Sequence, residues 1–355
     1  MPKTTSPLKT PKVVTFGEIM LRLNPPDKLR FEQADNFQAR YGGAEANVAV
    51  SLANYGVDSH YVSRLPADNP LAEAALQSLR RYNIDCQDSV RGGRRMGVYY
   101  LEFGAVQRAS RVVYDREGSG MATLEPGMID WEAALDGADW FHWTGITPAL
   151  SQSAADSCLE AVETAHRLGV NISLDLNYRG KLWGYGKKPI DVMPELAQYA
   201  TLVSGDPMTA NTFFGTDFDD VDFADDEPLD GERMRPFAEG LKKHLPNCKY
   251  VTSTLRASIN ADHNRWSAIL LTEDGLLTTK DYELTDMVDR IGGGDSYMGA
   301  LLYGLTRANK NDQYALDFAT AASCLKHTIY GDVNLVSVGE VEELLAGGGS
   351  GKVKR

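Results

Sequence analysis

No stretch of the sequence reaches the roughly 18 consecutive apolar residues that a membrane-spanning helix needs, so no transmembrane segment is expected. Cysteine is scarce: Cys86, Cys158, Cys248 and Cys324 are the only four, and they stand far apart. With neither a CxxC pair nor a Cys/His cluster, no zinc site or disulfide framework is expected, and the thiols should be reduced and mostly buried. Positive charge is in deficit as well. The 36 lysines and arginines face 49 aspartates and glutamates, a formal charge of −13 that repels polyanions and argues against nucleic acid or an anionic membrane as partner. Any phosphate must then be held by a local site. The GxxxxGK[ST] P-loop is missing, as is a GxGxxG behind the first strand, which sets aside a P-loop or ordinary dinucleotide fold. No internal repeat of fixed period is present.

What is present fits a globular enzyme, with 43% of residues hydrophobic, 24% charged and 9% aromatic. The 355 residues suit one large α/β domain around a single core, with a small appendage. The opening MPKTTSPLKTPK has basic charge and prolines but no apolar segment behind it. Residues 1–12 therefore read as a loose tail rather than a signal peptide, and a cytoplasmic protein is expected. KVVTFGEIMLRL then reads as strand, and LPADNPLAEAALQSLRRYNID has helical spacing that ends near Asn83. The alternation continues through ADWFHWTG, SAADSCLEAVETAHRLG, VNISLDLN, KPIDVMPELAQYA and TLVSGD. That order predicts a doubly wound α/β fold, a mostly parallel sheet with helices on both faces. Residues 90–120 break the pattern with short strands between turn residues, and together with residues 20–40 they predict a small antiparallel β lid. The acidic GTDFDDVDFADDEPLDGE predicts a solvated loop, and AGGGSGKVKR at 346–355 a flexible tail.

The segment MVDRIGGGDSYMGALLYGLTRA carries the most chemistry. Glycines at 292–294 permit close backbone approach, and a helix starting at about Asp295 aims free N–H groups and its positive end at whatever approaches. Such an end binds phosphate, and a carboxylate seated there can take a proton from a hydroxyl while the amides hold the transferring phosphoryl. On the residues alone a tight turn with Asp295 as N-cap stays equally open.

Asp289-Arg290-Ile291-Gly292-Gly293-Gly294-Asp295 matches D-x-x-G-x-G-D, and YGGAEANVAVSLANYG supplies Gly42, Gly43 and Asn47 at a helix start. In these two motifs the chain resembles the ribokinase/PfkB family of carbohydrate kinases, over roughly residues 13–345. The resemblance implies a ribokinase-like fold with Asp295 as catalytic base, Gly292, Gly293 and Gly294 as anion hole, and Gly42, Gly43 and Asn47 lining the sugar site. It implies ATP and Mg²⁺, leaves a monovalent cation open, and makes a homodimer or higher homo-oligomer the expectation, because lids of this family pair between subunits. Within the family the chain is most similar to 2-keto-3-deoxygluconate kinases, through GEIMLRL, VYYLEFG, VVYDREGS and SLDLNYRGKLW.

By that similarity Tyr99, Tyr114, Arg116 and Arg179 contact a keto acid, the two arginines meeting its carboxylate. A planar guanidinium can grip a carboxylate with two parallel hydrogen bonds, while a surface ion pair is the plainer alternative for each. In YVTSTLRAS, Thr254 and Arg256 correspond to the approach to the ATP phosphates. Most of the family has glycine in place of Arg256, which either reaches a phosphate or lies along the surface. Ala321 and Ser323 correspond to residues bordering adenine, with helix packing as the alternative, and a helix-end role suits His327 better than catalysis. Asp175 and Asn177 end a buried strand, where doubly wound sheets place ligands, though an Asx turn explains them nearly as well. The segment Gly205-Asp206-Pro207-Met208-Thr209-Ala210-Asn211 departs from the family, which has asparagine and a nearby glutamate there. Asp206 and Asp289 are the metal candidates, with a surface turn as the alternative for the loop at 205–211. The function expected is ATP-dependent phosphorylation of a small sugar acid, foremost 2-keto-3-deoxygluconate to its 6-phosphate. The alternatives are a kinase of the same fold for fructose or ribose, and a sugar-binding protein that has lost phosphoryl transfer.

Overall fold

The computed structural model describes residues 10–224, 227–307 and 311–348. The tails expected at 1–12 and 346–355 lie outside these residues except for 10–12 and 346–348, and Lys12 already belongs to the first strand. The N-terminal part comprises β1 (Lys12–Phe16), β2 (Met20–Asn24), β3 (Gln38–Gly42), α1 (Ala44–Asn54), β4 (Asp58–Val62), β5 (Arg64–Leu65), α2 (Pro70–Arg80), β6 (Val90–Arg91), β7 (Val98–Glu102) and β8 (Arg111–Asp115). The middle continues with α3 (Trp131–Leu135), β9 (Trp140–Thr144), α4 (Gln152–Arg167), β10 (Asn171–Asp175), α5 (Met193–Ala197), β11 (Leu202–Ser204), α6 (Pro207–Phe214) and α7 (Arg235–His244). The last part holds β12 (Tyr250–Ser258), β13 (Asn264–Leu271), β14 (Leu276–Thr278), β15 (Tyr282–Leu284), α8 (Gly293–Leu305), α9 (Asp312–Lys326) and α10 (Val338–Leu345).

The main sheet runs β14-β13-β12-β11-β10-β9-β1-β4, with β15 also paired to β13. From β4 to β12 neighbouring strands are parallel, and β13 turns back antiparallel to carry β14 and β15. All five residues of β9, WFHWT, are buried, as a parallel strand covered on both faces requires. One face packs Phe16, Trp143 and Phe213 beneath α3 to α7, and the other packs Leu52, Leu301 and Phe318 beneath α1, α8, α9 and α10. Helices on both faces make the sheet doubly wound, and loops at the carboxyl ends of its strands gather along one edge. The acidic stretch after Phe214 is largely loop, yet Phe218, Val221 and Phe223 turn inward onto the core because burying their rings and methyls outweighs exposing them.

Over that edge lies the lid, a sheet ordered β3-β2-β7-β8. Its outer pairs are antiparallel, but β2 and β7 run parallel, since the chain between them passes through the main sheet and two helices instead of a hairpin. Arg22 of β2 is fully buried beneath the lid. Its Nη2 donates to Asp289 Oδ2 at 2.8 Å and its Nη1 to Asp332, to which the Tyr99 hydroxyl also donates. Asp289 accepts in addition the amides of Ile291 and Gly331, both at 3.0 Å. Burial alone would lower the Arg22 pKa, but the Asp332 and Asp289 charges more than reverse that. The lid is thereby tied to the two loops that lead into α8 and away from α9. Replacing Arg22→Met leaves two buried carboxylates without their counter-charge, and about 3–5 kcal/mol of stability should be lost. Urea unfolding measures this, and a loss under about 1 kcal/mol would show that the pairing does not hold the lid.

Candidate active site

The glycine turn before α8 is set by geometry that only glycine accepts. Gly292 is the N-cap with φ 80° in the left-handed region, and a Cβ there would lie 1.9 Å from the Asp332 carbonyl. The helix therefore begins at Gly293, two residues earlier than the sequence suggested, and Asp295 sits inside its first turn rather than capping it. The Ser296 amide closes that turn on the Gly292 carbonyl at 2.8 Å. The amides of Gly294 and Asp295 precede the first helical hydrogen bond and are left at the positive end of the helix dipole.

Asp295 accepts a 2.7 Å hydrogen bond from Asn47 Nδ2. Burial, with the Asp332 charge adding to it, pushes its carboxyl up to about 6, while the Asn47 bond works the other way. Asn47 is aimed by α1, whose N-cap Gly43 lies so close to Glu18 that a Cβ would come within 2.0 Å of the Glu18 carbonyl. Gly42 meets the Asp332 carboxylate just as tightly, so both glycines are required by close packing.

A cleft of about 570 Å³ opens in front of Asp295. Of the residues expected from the sequence it brings together Gly43, Asn47, Tyr99, Tyr114, Arg116, Arg179 and Gly292 to Asp295. Arg179 is exposed at its mouth, donates to the Tyr178 carbonyl at 3.0 Å, and has no carboxylate partner among the described residues. Arg116 differs from expectation. It is buried, and its Nε and Nη2 both bond Glu18, the former at 2.8 Å, so its fork is already occupied by a carboxylate of the chain itself. A second hollow of about 280 Å³ continues past Gly294, bordered by Asp175, Asp206, Ser253 and Thr254. Burial raises Asp175 and Glu45 each to about 7. Asn177 donates to both oxygens of Asp175 at 3.2 Å, so the Asx turn and the place at the strand end are both realised.

Other expected roles need correction. Asp289 does not suit a metal, because Arg22 and two backbone amides occupy its oxygens. Asp206 is exposed and caps α6, accepting from the Thr209 amide at 2.9 Å and hydroxyl at 2.7 Å, so it is first a turn residue at the rim. Asn211 faces away and holds the following loop through Phe218 and Thr216. Ala321 is wholly buried in the core, and buried Ser323 donates to the Gly293 carbonyl at 2.8 Å, so neither is open to an adenine. His327, by contrast, takes the helix-end place expected of it, capping α9 and bonding the Ser323 carbonyl through Nδ1 at 2.7 Å. Among the described residues no three His, Cys, Asp or Glu converge on a metal position. Glu18, Glu45, Asp332 and Lys326 were given no role from sequence. A lone acid in GEIMLRL or IYGDV carries no spacing signal, because its partners arrive from remote loops.

The Asn47 bond favours the ionised form of Asp295, so its loss must raise the pKa. In Asn47→Ala the acid limb of kcat/KM against pH should move from near pH 6 upward by roughly one pH unit, the scale of a hydrogen bond to a charged group. A limb that stays in place would show that Asp295 does not govern it.

The profile of the pfkB family carbohydrate kinases matches residues 10–225, more than half of the chain. A 2-dehydro-3-deoxygalactonokinase of Haloferax volcanii is 32% identical over 96% of this chain and 99% of its own length. A 2-dehydro-3-deoxygluconokinase of Thermoproteus tenax is 28% identical over 94% of each. The crystal structure of 2-dehydro-3-deoxygluconokinase from Thermotoga maritima superposes with a TM-score of 0.87 at 41% identity, over 95% of this chain and 99% of that one. No helix among the described residues is long and apolar enough to cross a membrane. With a ribokinase-like fold, a glycine turn leading into a half-buried aspartate and relatives matched over nearly their whole length, the chain belongs to the pfkB family of carbohydrate kinases.

Proposed function

We propose that this kinase transfers the γ-phosphate of ATP to the primary hydroxyl of a 2-keto-3-deoxy sugar acid, with 2-keto-3-deoxygluconate the preferred acceptor and its 6-phosphate the product. One observation carries the reading: an arginine without a carboxylate partner, Arg179, opens onto the same cleft as Asp295, its Asn47 partner and the Gly294 amide. An acidic acceptor gives that guanidinium its counter-charge, which a neutral sugar would not. Tyr99 and Tyr114, their ring centroids 6.1 Å apart and their planes tilted by 41°, line the lid side and enclose the carbon chain, with Gly43 behind it.

In this reading Asp295 takes the proton of the attacking hydroxyl, and the new O–P bond forms as the bond to the β-phosphate oxygen breaks, releasing ADP. A carboxyl at about 6 is ionised at neutral pH yet basic enough to accept the proton as it leaves. The free amides of α8 hold charge building on the transferring phosphoryl, and Thr254 borders the hollow suited to the remaining phosphates. Mg²⁺, when bound with ATP, supplies neutralising charge. The described residues form no cage for it but place carboxylates at the rim, Asp175 and Asp206, which suits a metal carried chiefly by the phosphates. The lid closes over the acceptor and keeps water from the phosphoryl. Val113 and Phe37, each 42% exposed on or beside the lid sheet, support pairing with a second copy. A second acceptor is favoured by a specific observation, since the Haloferax volcanii relative is named for the galacto epimer.

A coupled assay of ADP release over both epimers, fructose and ribose tests the reading. Turnover should be confined to the keto acids, and a preference for fructose or ribose would overturn it. Asp295→Asn should lower kcat at least about 100-fold with ATP binding kept. A variant retaining a tenth of wild-type kcat would remove Asp295 from the base role. Arg179→Ala should raise KM for the keto acid about tenfold or more and hardly affect a neutral analogue, as a charge-assisted hydrogen bond of roughly 1.5–3 kcal/mol implies. Equal losses for both would assign Arg179 to the fold.

A further inference from the structure

Behind the wall of the cleft lies a further hollow of about 440 Å³, between β3, the end of α2 and the loop at 330–335. Spaces of this size hold metabolite-sized ligands. Asn47 and Asp332 line it as well as the cleft, and Gly42 faces it where Gly43 faces the cleft, so the two spaces share a wall.

Two arginines from different elements border this hollow. Arg40 stands opposite Arg22 in the β2–β3 ladder, and opposed residues project from the same face of a sheet. Arg22 takes both Asp289 and Asp332, while half-buried Arg40 has no carboxylate partner among the described residues. The Arg40 stem is laid along Gly331, whose φ of 94° and missing Cβ leave it room, since a Cβ there would stand 3.2 Å from Arg40 Cδ. Arg81 closes α2. Its guanidinium lies 4.8 Å from the centre of the Tyr82 ring, and its Nη2 donates to the Tyr82 hydroxyl at 2.9 Å, which steers the group. Unlike its neighbour Arg80, which pairs with Glu73, Arg81 meets no carboxylate among the described residues.

Among the described residues Asp332 is the one acid that borders the hollow, and its charge is already answered. One oxygen accepts from Arg22 and the other from the Tyr99 hydroxyl. Tyr41, Gln77 and Ser78 add neutral hydrogen-bonding groups around the two guanidiniums. In a chain of formal charge −13 the hollow thus carries positive charge to spare, and its concave wall focuses that field on whatever enters.

We propose that the hollow is a second ligand site, for a small organic anion with a charged group at each end, of the class of phosphorylated sugar acids, and that its occupation opposes binding of the acidic acceptor across the shared wall. Arg40 and Arg81 each take one end, because a planar fork meets a carboxylate or phosphate through two parallel hydrogen bonds. The bound charge then stands behind Asn47 and Asp332, and like charges on the two sides of the wall repel. The product of the proposed reaction belongs to this class, so the site lets product hold back acceptor. Binding in the hollow is independent of the kinase reading, and only the effect on the acceptor rests on it.

Calorimetric titration of 6-phosphogluconate, inorganic phosphate and glucose into wild type, Arg81→Ala, Arg40→Ala and Arg179→Ala tests the site. 6-Phosphogluconate should bind wild type, and about tenfold or more weakly Arg81→Ala and Arg40→Ala, the scale of one charge-assisted hydrogen bond. Its affinity for Arg179→Ala should stay within about threefold of wild type, because that arginine opens onto the cleft. Phosphate, with one charged end, should bind at least about tenfold more weakly than 6-phosphogluconate, and glucose not measurably. Arg81→Lys should recover part of the loss, as charge returns without the fork. In the coupled assay 6-phosphogluconate should raise KM for the keto acid in wild type and not in Arg81→Ala, whose kinetics without it should match wild type. Absence of binding to wild type overturns the site. So does a loss in Arg179→Ala with none in Arg81→Ala, which places the probe in the cleft. Phosphate as tight as 6-phosphogluconate overturns the two-ended ligand, and an equal rise of KM in Arg81→Ala overturns the coupling. If the probe binds as expected to a wild type that phosphorylates no keto acid, the kinase reading falls and the site stands. If the keto acid turns over and the probe does not bind, the site falls and the kinase reading stands.

Discussion

Arg22 carries its charge into the interior because two carboxylates from separate loops meet it there, and this enclosed group decides where the lid sits relative to the glycine turn. Asp289 opens the loop that becomes the N-terminus of α8, and Asp332 ends the turn that follows α9. Asp332 also fixes the Tyr99 hydroxyl, abuts Gly42 and raises the Asp295 pKa. A single carboxylate thus contacts the lid and Gly42 and acts on Asp295 through its charge. Beneath it the Lys326 ammonium, wholly buried, donates to the Asp289 and Ile329 carbonyls at 3.2 and 3.3 Å and joins the same two loops from below.

The cleft keeps its electrostatic balance in a particular way. Asp295 and Asp175, which line the cleft, are both raised toward neutrality by burial, so it carries less negative charge than its count of acids suggests. Glu18 takes up the Arg116 charge at the back, and Arg179 stays free at the mouth. In a strongly acidic protein the cleft thus keeps at its mouth one guanidinium, that of Arg179, with no carboxylate partner among the described residues.

The fold was legible in the chain because its signals are local. Strand and helix alternate with the expected spacings, and β9 is apolar at every position a doubly covered strand needs. The glycine motif was legible for the same reason, although the αL turn at Gly292 moved the helix start ahead of Asp295. What stayed hidden depends on long-range partners. The Arg116 fork was assigned to a substrate carboxylate or a surface ion pair, since its buried partner Glu18 lies 98 residues away and no pattern joins them. Asp289 looked like a metal ligand for the same reason, as its partner Arg22 is 267 residues distant. For Ala321 and Ser323 the packing alternative holds, and the sequence left it open because helix periodicity marks which residues share a face but not which face meets solvent.

The parallel pairing of β2 and β7 has a consequence for how the molecule assembles. A hairpin lid could form early from neighbouring residues, but β2 can meet β7 only after the chain between them, which holds α1, β4 and α2, has been laid against the main sheet. Closing that long loop loses chain entropy before any lid contact rewards it, so the lid belongs among the late-forming, high-contact-order parts of the fold. On the ribosome, β2 emerges well before its partner and waits as an unpaired edge until β7 arrives. The same elements that cover the cleft in the finished fold are thus the ones most exposed to wrong partners while it is being made.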